Sequence, residues 1–295
     1  MSVNLAPPPF QVGDYQIQRV MEMQLKFRKP TEMFPGADPD EIAELLPLIT
    51  PWAFDAESGK TILAVQSYLV RTGRANILID TCIGCGKTNE RIPSWANRTD
   101  TCWLDRLAAT GAGVEEIDYV FCTHLHADHS GWNTQLIDGR WVPTFPNAKY
   151  ILAREEVEHA ERTGLPQYPE NVLPVIEAGQ AVLVDADHAL DDRIWLEPTP
   201  GHTPGHVAVH METGADHAVM WGDLLHSPLQ CFRPDWWFMI DTDPDEGIAS
   251  RKRVLEAAAE HNHLVLSAHF PAPSVGRIKS DGAAYRWEYE RLEGA

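Results

Sequence analysis

The sequence predicts an α+β fold in which two β-sheets pack face to face with helices on their outer sides. Three observations predict it: strand-like runs succeed one another in each half of the chain, each half also holds helical stretches, and hydrophobic residues make up 44% of the 295 residues. That composition allows a sizeable core. Without a repeat, a low-complexity tract or a long linker, we predict one domain over residues 1–295.

The elements of the first half follow from local patterns. RTGR, a turn-like tetrapeptide, separates two β-rich runs and therefore predicts a hairpin. Gly111 ends a segment with helical spacing and is a plausible C-cap. A polar, proline-rich insert over 28–60 holds one short helix. The predicted strands are 13–27, 62–70, 75–80 and 118–124, and the predicted helices are 41–49 and 101–111.

The second half contains the best-signalled helix, over about 244–260. Asp243 is a suitable N-cap, Pro244 suits the first helical position, and Glu246 stands where a capping box needs it. The remaining predicted elements are a helix at 155–162 and strands at 148–153, 181–186, 194–200, 206–211, 217–223 and 264–270.

The charge of the chain argues against a polyanionic partner. The formal net charge is −19, so nucleic acid would be repelled unless a local basic patch existed. Arg251–Arg253 is the one basic cluster, and we interpret it as the solvated face of a helix. We therefore expect no nucleic-acid binding.

The first residues, the hydropathy and the cysteines indicate in which cellular compartment to expect the protein. The first residues lack both a basic and an apolar region, so they do not resemble a secretory signal. No run approaches the 18 apolar residues of a membrane span. The five cysteines are an odd number, and reduced thiols are the default for such a chain. We expect a cytoplasmic protein without membrane contact.

The strongest chemical signal is the segment Thr123–His129, which reads THLHADH. Residues two apart on an extended strand end face the same side, so His124 and His126 can bind one ion together. Asp128 and His129, where the chain turns, can then address a second ion. Imidazole and carboxylate ligands suit zinc, and also manganese, iron or cobalt.

Two metal sites need further ligands, and three candidates follow later strands. They are His206, at the end of the tight loop GHTPGH, Asp223, at the end of the run HAVMWGD, and His269, at the end of LVLSAHF. Ligands at strand ends are held by a rigid sheet, which is the support that a metal site requires.

Taken in order, these segments resemble the motifs of the metallo-β-lactamase superfamily. The resemblance runs over about residues 60–271 and includes a strand ending in Asp80. It implies an αββα sandwich of two mixed sheets, in which Asp80 orients the ligand loops. It assigns His124, His126 and His206 to one metal, Asp128, His129 and His269 to the other, and Asp223 to the bridge between them.

Within the superfamily the motifs are closest to the branch of acyl-homoserine lactonases and methyl parathion hydrolase. True metallo-β-lactamases place Cys or Ser where this chain has Asp223, and glyoxalase II has a further histidine where Leu125 stands. The lactonases carry a Tyr three residues after the bridging Asp. This chain has His226 there, which puts the Tyr role in doubt.

The resemblance leads us to expect a hydrolase of a small lactone or carboxylic ester. Two divalent ions, zinc first among the candidates, would share a water and supply hydroxide at neutral pH. Asp128 would carry the proton to the leaving group, and His226 would donate a hydrogen bond to the oxyanion. Two alternatives stay open: an organophosphate triesterase on the same site, and a non-hydrolytic, iron-binding member of the fold.

The remaining features are weaker. Cys82 and Cys85 form a lone CxxC, better interpreted as a loop with small residues than as a redox or zinc pair. His202 is interpreted as shaping its loop, and His261 with His263 as solvated histidines. The aromatic run 236–239 is either core or the wall of an apolar pocket. The N-terminal part, 1–60, would add a strand and a lid or homodimer contact to a metal-binding core over 61–275.

Overall fold

The computed structural model describes residues 7–282 and 284–290, which fall into two compact units. The first unit contains 7–22 and Val65–His188, and the second contains Met23–Ala64 and the residues from Ala189 onward. No helix among these residues is long and apolar enough to cross a membrane. The prediction of one domain over the whole chain stays a prediction.

The secondary structure is mixed, as an α+β fold requires. The strands are β1 Phe10–Val12, β2 Tyr15–Lys26, β3 Phe54–Asp55, β4 Lys60–Arg71, β5 Asn76–Ile79, β6 Tyr119–Phe121, β7 Thr134–Ile137, β8 Arg140–Pro143, β9 Lys149–Ala153, β10 Ala181–Val184, β11 Ile194–Pro198, β12 Val207–Thr213, β13 Asp216–Met220, β14 Leu264–Leu266, β15 Val275–Asp281 and β16 Ala284–Tyr289. The helices are α1 Pro30–Met33, α2 Pro39–Ile49, α3 Cys102–Ala109, α4 Ala127–Ser130, α5 Arg154–Thr163, α6 Leu173–Glu177, α7 Leu229–Phe232 and α8 Pro244–Glu260.

The larger sheet has the strand order β1-β2-β4-β5-β6-β9-β10, with β3 paired to β4. Its strands β4 and β5 are antiparallel, whereas β5, β6, β9 and β10 are parallel neighbours. The central strands β5 and β6 are short apolar runs that are almost completely buried. Their carboxyl ends lie at the same edge of the sheet, because parallel neighbours end on the same side.

The smaller sheet lies in the second unit and has the order β11-β12-β13-β14-β15-β16. Its pairs are antiparallel except β13 and β14, so it too is mixed. Helix α8 packs on this sheet: Val254 and Leu255 join Val219 and Val265 in one hydrophobic cluster. The carboxylate of Asp243 accepts the backbone N–H of Glu246, which confirms the predicted N-cap.

Most predicted elements are present within a few residues of their expected ends. Two hairpins were not predicted, β7–β8 and β15–β16. The interpretation of Arg251–Arg253 as a solvated face is wrong for its first residue. The Arg251 side chain is 1% exposed, because position 251 lies on the face of α8 that packs inward.

Candidate metal centre

The first group of candidate ligands follows the carboxyl end of β6. Asp80 comes directly after β5, and its backbone N–H donates to the carbonyl of Phe121 at the end of β6. This pairing brings the Asp80 carboxylate against the start of the ligand loop, which begins at Thr123. The candidate ligands of this unit therefore stand at a strand end, where the sequence placed them.

Asp80 holds the ligand loop through a set of hydrogen bonds. Its Oδ1 accepts the backbone N–H of Thr123 at 2.8 Å, and Oδ2 accepts the Thr123 hydroxyl at 3.0 Å. The same Oδ2 lies 2.8 Å from Nδ1 of His129. A buried carboxylate here only accepts, so the His129 proton is on Nδ1 and the other ring nitrogen, Nε2, is a donor atom for a cation.

His124 and His126 bring two ring nitrogens together. The distance between Nε2 of His124 and Nδ1 of His126 is 3.0 Å. Two imidazoles on one tetrahedral zinc ion place their nitrogens about 3.3 Å apart, given Zn–N bonds of roughly 2.0–2.1 Å. The spacing of this pair therefore fits a shared ion, as the sequence predicted.

The turn after these ligands depends on Gly131. A Cβ atom at this position would lie 1.9 Å from the carbonyl oxygen of Ile83, so any side chain would collide with that backbone. The close approach lets the N–H of Gly131 donate to the carbonyl of Cys82 at 2.7 Å. The loop after β5 and the ligand loop are thereby fixed to each other.

The second group of candidate ligands begins with the loop before β12. Nδ1 of His206 donates to the carbonyl of Thr199 at 3.1 Å, and Nε2 accepts the backbone N–H of Asp223 at 3.0 Å. The loop is pinned to α8, since Gly201 has φ +127° and a Cβ there would lie 2.0 Å from the nitrogen of Gly247. Both nitrogens of His206 are thus engaged, so its predicted role as a ligand requires Nε2 to exchange the Asp223 N–H for an ion, and that role stays a prediction.

Three imidazoles converge on the carboxylate of Asp223, which is 4% exposed. Nε2 of His269 lies 2.7 Å from Oδ1, while Nε2 of His226 and of His202 lie 3.0 Å and 3.1 Å from Oδ2. The donor atoms of Asp223, His226 and His269 all lie within 4.8 Å of one another. The sequence predicted Asp223 and His269 as ligands, and within the second unit they meet.

The orientation of His269 indicates a cation. Its Nδ1 lies 2.8 Å from the carbonyl oxygen of Ala64, which can only accept, so this nitrogen carries a proton. A neutral ring then presents the lone pair of Nε2 to the Asp223 carboxylate. Two electron-rich atoms face each other in this arrangement, and a proton or a metal ion must lie between them.

His202 has a part in this region that the sequence did not predict. Its Nδ1 lies 2.8 Å from Oδ1 of Asp241, and Arg251 approaches the other oxygen of that carboxylate at 3.6 Å. Burial alone would lower the pKa of His202, but the carboxylates of Asp223 and Asp241 outweigh it and raise that pKa to about 9. The first histidine of GHTPGH was the available signal for His202, and Asp241 had none.

His226 is 2% exposed, so it is not a surface histidine. Burial lowers the pKa of its ring to about 3, although the charge of Asp223 opposes the change. The ring is therefore neutral and donates through Nε2. Its Nδ1 is buried and has no hydrogen-bond partner among the described residues. The ring of Phe238 stacks on it with a centroid distance of 3.4 Å.

The aromatic run 236–239 is core in its buried members, and its role as a pocket wall stays a prediction. Trp236 and Phe238 are buried in a hydrophobic cluster with Phe34 and Phe54 of the 28–60 insert. Phe238 also covers the His226 ring. The insert thus packs within the second unit, and its role as a lid or dimer contact stays a prediction.

Two weaker interpretations concern the lone CxxC and two histidines. Cys82 is buried and Cys85 is half-buried in the loop after β5, and the preference for a loop over a redox pair stays a prediction. The interpretation of His261 and His263 as solvated is wrong for His263, which is 8% exposed because its ring stacks against that of His217.

The donor chemistry of both groups fits divalent metal ions. The sets consist of imidazole nitrogens and carboxylate oxygens, which zinc and its neighbours in the first transition row prefer. Nδ1 of His129, His206 and His269 each contacts a protein oxygen, the outer support that metal-binding histidines usually have. The residues present therefore fit such ions.

Comparison with known proteins agrees with the fold and with this chemistry. The profile of the metallo-beta-lactamase superfamily matches residues 61–269. This range carries every predicted ligand, from the strand before Asp80 to His269. The chain therefore belongs to the metallo-beta-lactamase superfamily, and it is a hydrolase of that superfamily with the corresponding α+β fold.

Individual relatives are distant. The N-acyl homoserine lactonase AiiA of Bacillus thuringiensis subsp. kurstaki is 24% identical over 222 residues, covering 70% of this chain and 81% of the lactonase. A solved structure of the hydrolase AbOPH covers 99% of this chain and 100% of its own, with a TM-score of 0.82 and 23% identity. The dizinc quorum-quenching lactonase AidC covers 98% and 99%, with a TM-score of 0.77 and 22% identity.

Proposed function

We propose that this hydrolase cleaves a lactone or a carboxylic ester at a site that holds two divalent ions, zinc first among the candidates. His124, His126 and His206 bind one ion, Asp128, His129 and His269 bind the other, and Asp223 bridges the pair. The observation that carries the proposal is the convergence of imidazole nitrogens on Asp223 in the second unit. The lactonase relatives support the choice of substrate class.

The bound ions would supply a nucleophile from water near neutral pH and polarise the attacked carbonyl. The protein itself has to orient the ligands and move a proton. Asp128 is the proton carrier to the leaving alkoxide, because its carboxylate lies on the partly exposed side of the ligand loop, with Oδ2 3.8 Å from Nε2 of His129.

His226 is the hydrogen-bond donor to the oxyanion that forms during attack. The proton on Nε2 now donates to Asp223 and would turn to the oxyanion during attack, while the lowered pKa keeps the ring neutral near pH 7. His202 is a positioning residue, since it contacts Asp223 and is itself fixed by Asp241. Phe238 shields this region from water.

The substrate class follows from charge and apolar surface. A net charge of −19 disfavours an anionic substrate, whereas the aromatic cluster around Phe238 and Trp236 suits an apolar acyl group. A small-molecule ester or lactone fits both conditions. A phosphotriester is the second candidate, because His226 replaces the Tyr that the lactonase branch uses.

A substrate panel tests the proposal directly. Zinc- and manganese-loaded protein is assayed with N-acyl lactones, aryl carboxylic esters, an aryl phosphotriester, a β-lactam and a thioester. We expect the highest kcat/KM for a lactone or carboxylic ester. A higher value for the phosphotriester would establish the second candidate, and tightly bound mononuclear iron without hydrolysis would overturn both.

A further inference from the structure

A second histidine cluster lies in the smaller sheet, at the opposite end of β13 from Asp223. His210 is on β12, His217 is at the start of β13, and His263 directly precedes β14. The strand register explains their proximity: Ala218 pairs with Leu264, so the residues before them, His217 and His263, are adjacent. The three side chains therefore share one face of the sheet.

Hydrogen bonds fix the protonation of the first ring in this cluster. Nε2 of His210 lies 2.7 Å from Oε2 of Glu197, and the carboxylate of Glu197 is itself held by Arg253 at 3.0 Å. Since the carboxylate accepts, the His210 proton is on Nε2. Its Nδ1 then presents a lone pair to Nε2 of His217, 2.8 Å away.

We propose that His210 and His217, joined by His263, form a second metal site that binds a divalent transition metal such as zinc. It is distinct from the hydrolase site and shares no ligand with it. The support of His210 by Glu197 is the carboxylate–histidine arrangement that orients metal ligands in proteins. An ion would replace the hydrogen bond between the two rings, and the proton on Nε2 of His217 would move to Nδ1 through solvent.

The three rings are close together and would turn towards a common ion. The centroids of His210 and His217 are 5.1 Å apart, because their nitrogens contact each other directly at 2.8 Å. His263 is 3.9 Å from His217 and 6.4 Å from His210, so its ring has to rotate towards the other two before all three can bind one ion.

The cluster is partly shielded from solvent. Burial and the neighbouring imidazoles lower the pKa of His217 to about 3 and that of His263 to about 4. His261, exposed at the end of α8 with its ring 5.6 Å from that of His263, gives access from solvent.

This site would connect the β12–β13 hairpin to the chain that leaves α8. Its expected effect is thus on stability and not on turnover, since an ion bound only by the folded state stabilises that state. The inference stands on the cluster alone and does not require the proposed substrate or the proposed metal pair.

A zinc titration of the intact protein tests the inference. Zinc-loaded protein, freed of loose metal, is titrated with zinc against a chromophoric chelator. We expect one further equivalent in the wild type, lost or weakened at least about tenfold in His217→Gln and in His263→Gln, and weakened about 10- to 100-fold in Glu197→Gln. His188→Gln, on a separate segment, is the matched control and should bind as the wild type does.

Turnover shows whether the variants are folded. His217→Gln and His263→Gln should keep wild-type kcat/KM while they lose the further equivalent. The inference is overturned if the wild type takes up no further ion, or if either histidine variant that keeps turnover also keeps the ion. It is equally overturned if the His188→Gln control loses as much binding as His217→Gln.

Discussion

The ligand loop of the first unit is one continuous segment, Thr123–Gly131, whereas the candidate ligands of the second unit stand on three separate segments, near His206, Asp223 and His269. The carboxylate of Asp80 holds the continuous loop through backbone, hydroxyl and imidazole contacts, and Glu156 accepts the backbone N–H of Leu125. The second group needs more support, because each of its segments must be positioned independently.

That support in the second unit is a buried charged network. Arg251 donates to the carbonyl oxygens of Leu224 and Trp236 and approaches Asp241, which in turn orients His202. One arginine from α8 thus fixes the loops on either side of the aromatic run. The comparison teaches that a contiguous motif can be held by a few local hydrogen bonds, while a dispersed one requires a buried charged network that is costly to disturb.

Removing Arg251 should have the largest effect. Arg251→Met removes the positive charge beside Asp241 and leaves the buried carbonyl oxygens of Leu224 and Pro234 without this donor, at a cost of about 3–5 kcal/mol in the free energy of unfolding. Chemical denaturation measures this cost. Lys252→Met, at the exposed neighbouring position, is the matched control and should stay within about 0.5 kcal/mol of the wild type. Equal, small losses in both variants would mean that the network does not support the second unit.

Substitution of Asp223 should have the second-largest effect, and it should act on hydrolysis and metal retention. Asp223→Ser removes the carboxylate on which the second group converges, and we expect ester hydrolysis to fall by well over about a hundredfold with weaker metal retention. Steady-state kinetics and elemental analysis give both numbers. Near wild-type rates would mean that Asp223 does not bridge the metals.

Asp80 should have a smaller effect, because it supports ligands without being one. Asp80→Asn keeps the shape but loses a charged acceptor for His129, so metal affinity should fall about 10- to 100-fold. Chelator competition measures this change. Asp118→Asn, at an exposed position directly before β6, serves as the control. An unchanged metal affinity in Asp80→Asn would show that the ligand loop keeps its conformation without the Asp80 carboxylate.

His226 should have the smallest effect of these on catalysis. His226→Ala should keep both metals, keep KM within a few-fold, and lower kcat at least about tenfold, since the donor acts on a charge that exists fully only in the transition state. His226→Gln retains an N–H donor and should recover part of kcat. An unchanged kcat in His226→Ala with the metals intact would assign His226 a purely structural role.

The contrast between the two regions also explains what could be predicted from the sequence. The ligands of the loop could be predicted because they are close in sequence, and their spacing determines which side chains face the same way. Asp223 and His269 were found only as strand-end residues within an ordered set. The role of Asp241 could not be predicted, because its partner His202 is 39 positions away and no local sequence pattern connects the two residues.

Some missed features had signals in the sequence. Arg251 stands four residues after Gly247 and four before Leu255, which places it on the buried face of α8, yet its charged neighbours suggested exposure. Asp138 and Gly139 both have positive φ and form the tight turn between β7 and β8, a pattern that a DG dipeptide favours. The register that unites His210, His217 and His263, by contrast, exists only in the folded sheet.

The metal content of the purified protein tests the central claim, that the two groups of ligands serve one pair of ions. His217→Gln is the background for this measurement, so that the second histidine cluster does not contribute. We expect close to two divalent ions per chain by elemental analysis, and clearly fewer in His129→Ala and in His269→Ala, one variant from each unit. One ion per chain at full activity, or two ions retained in both variants, would contradict the account.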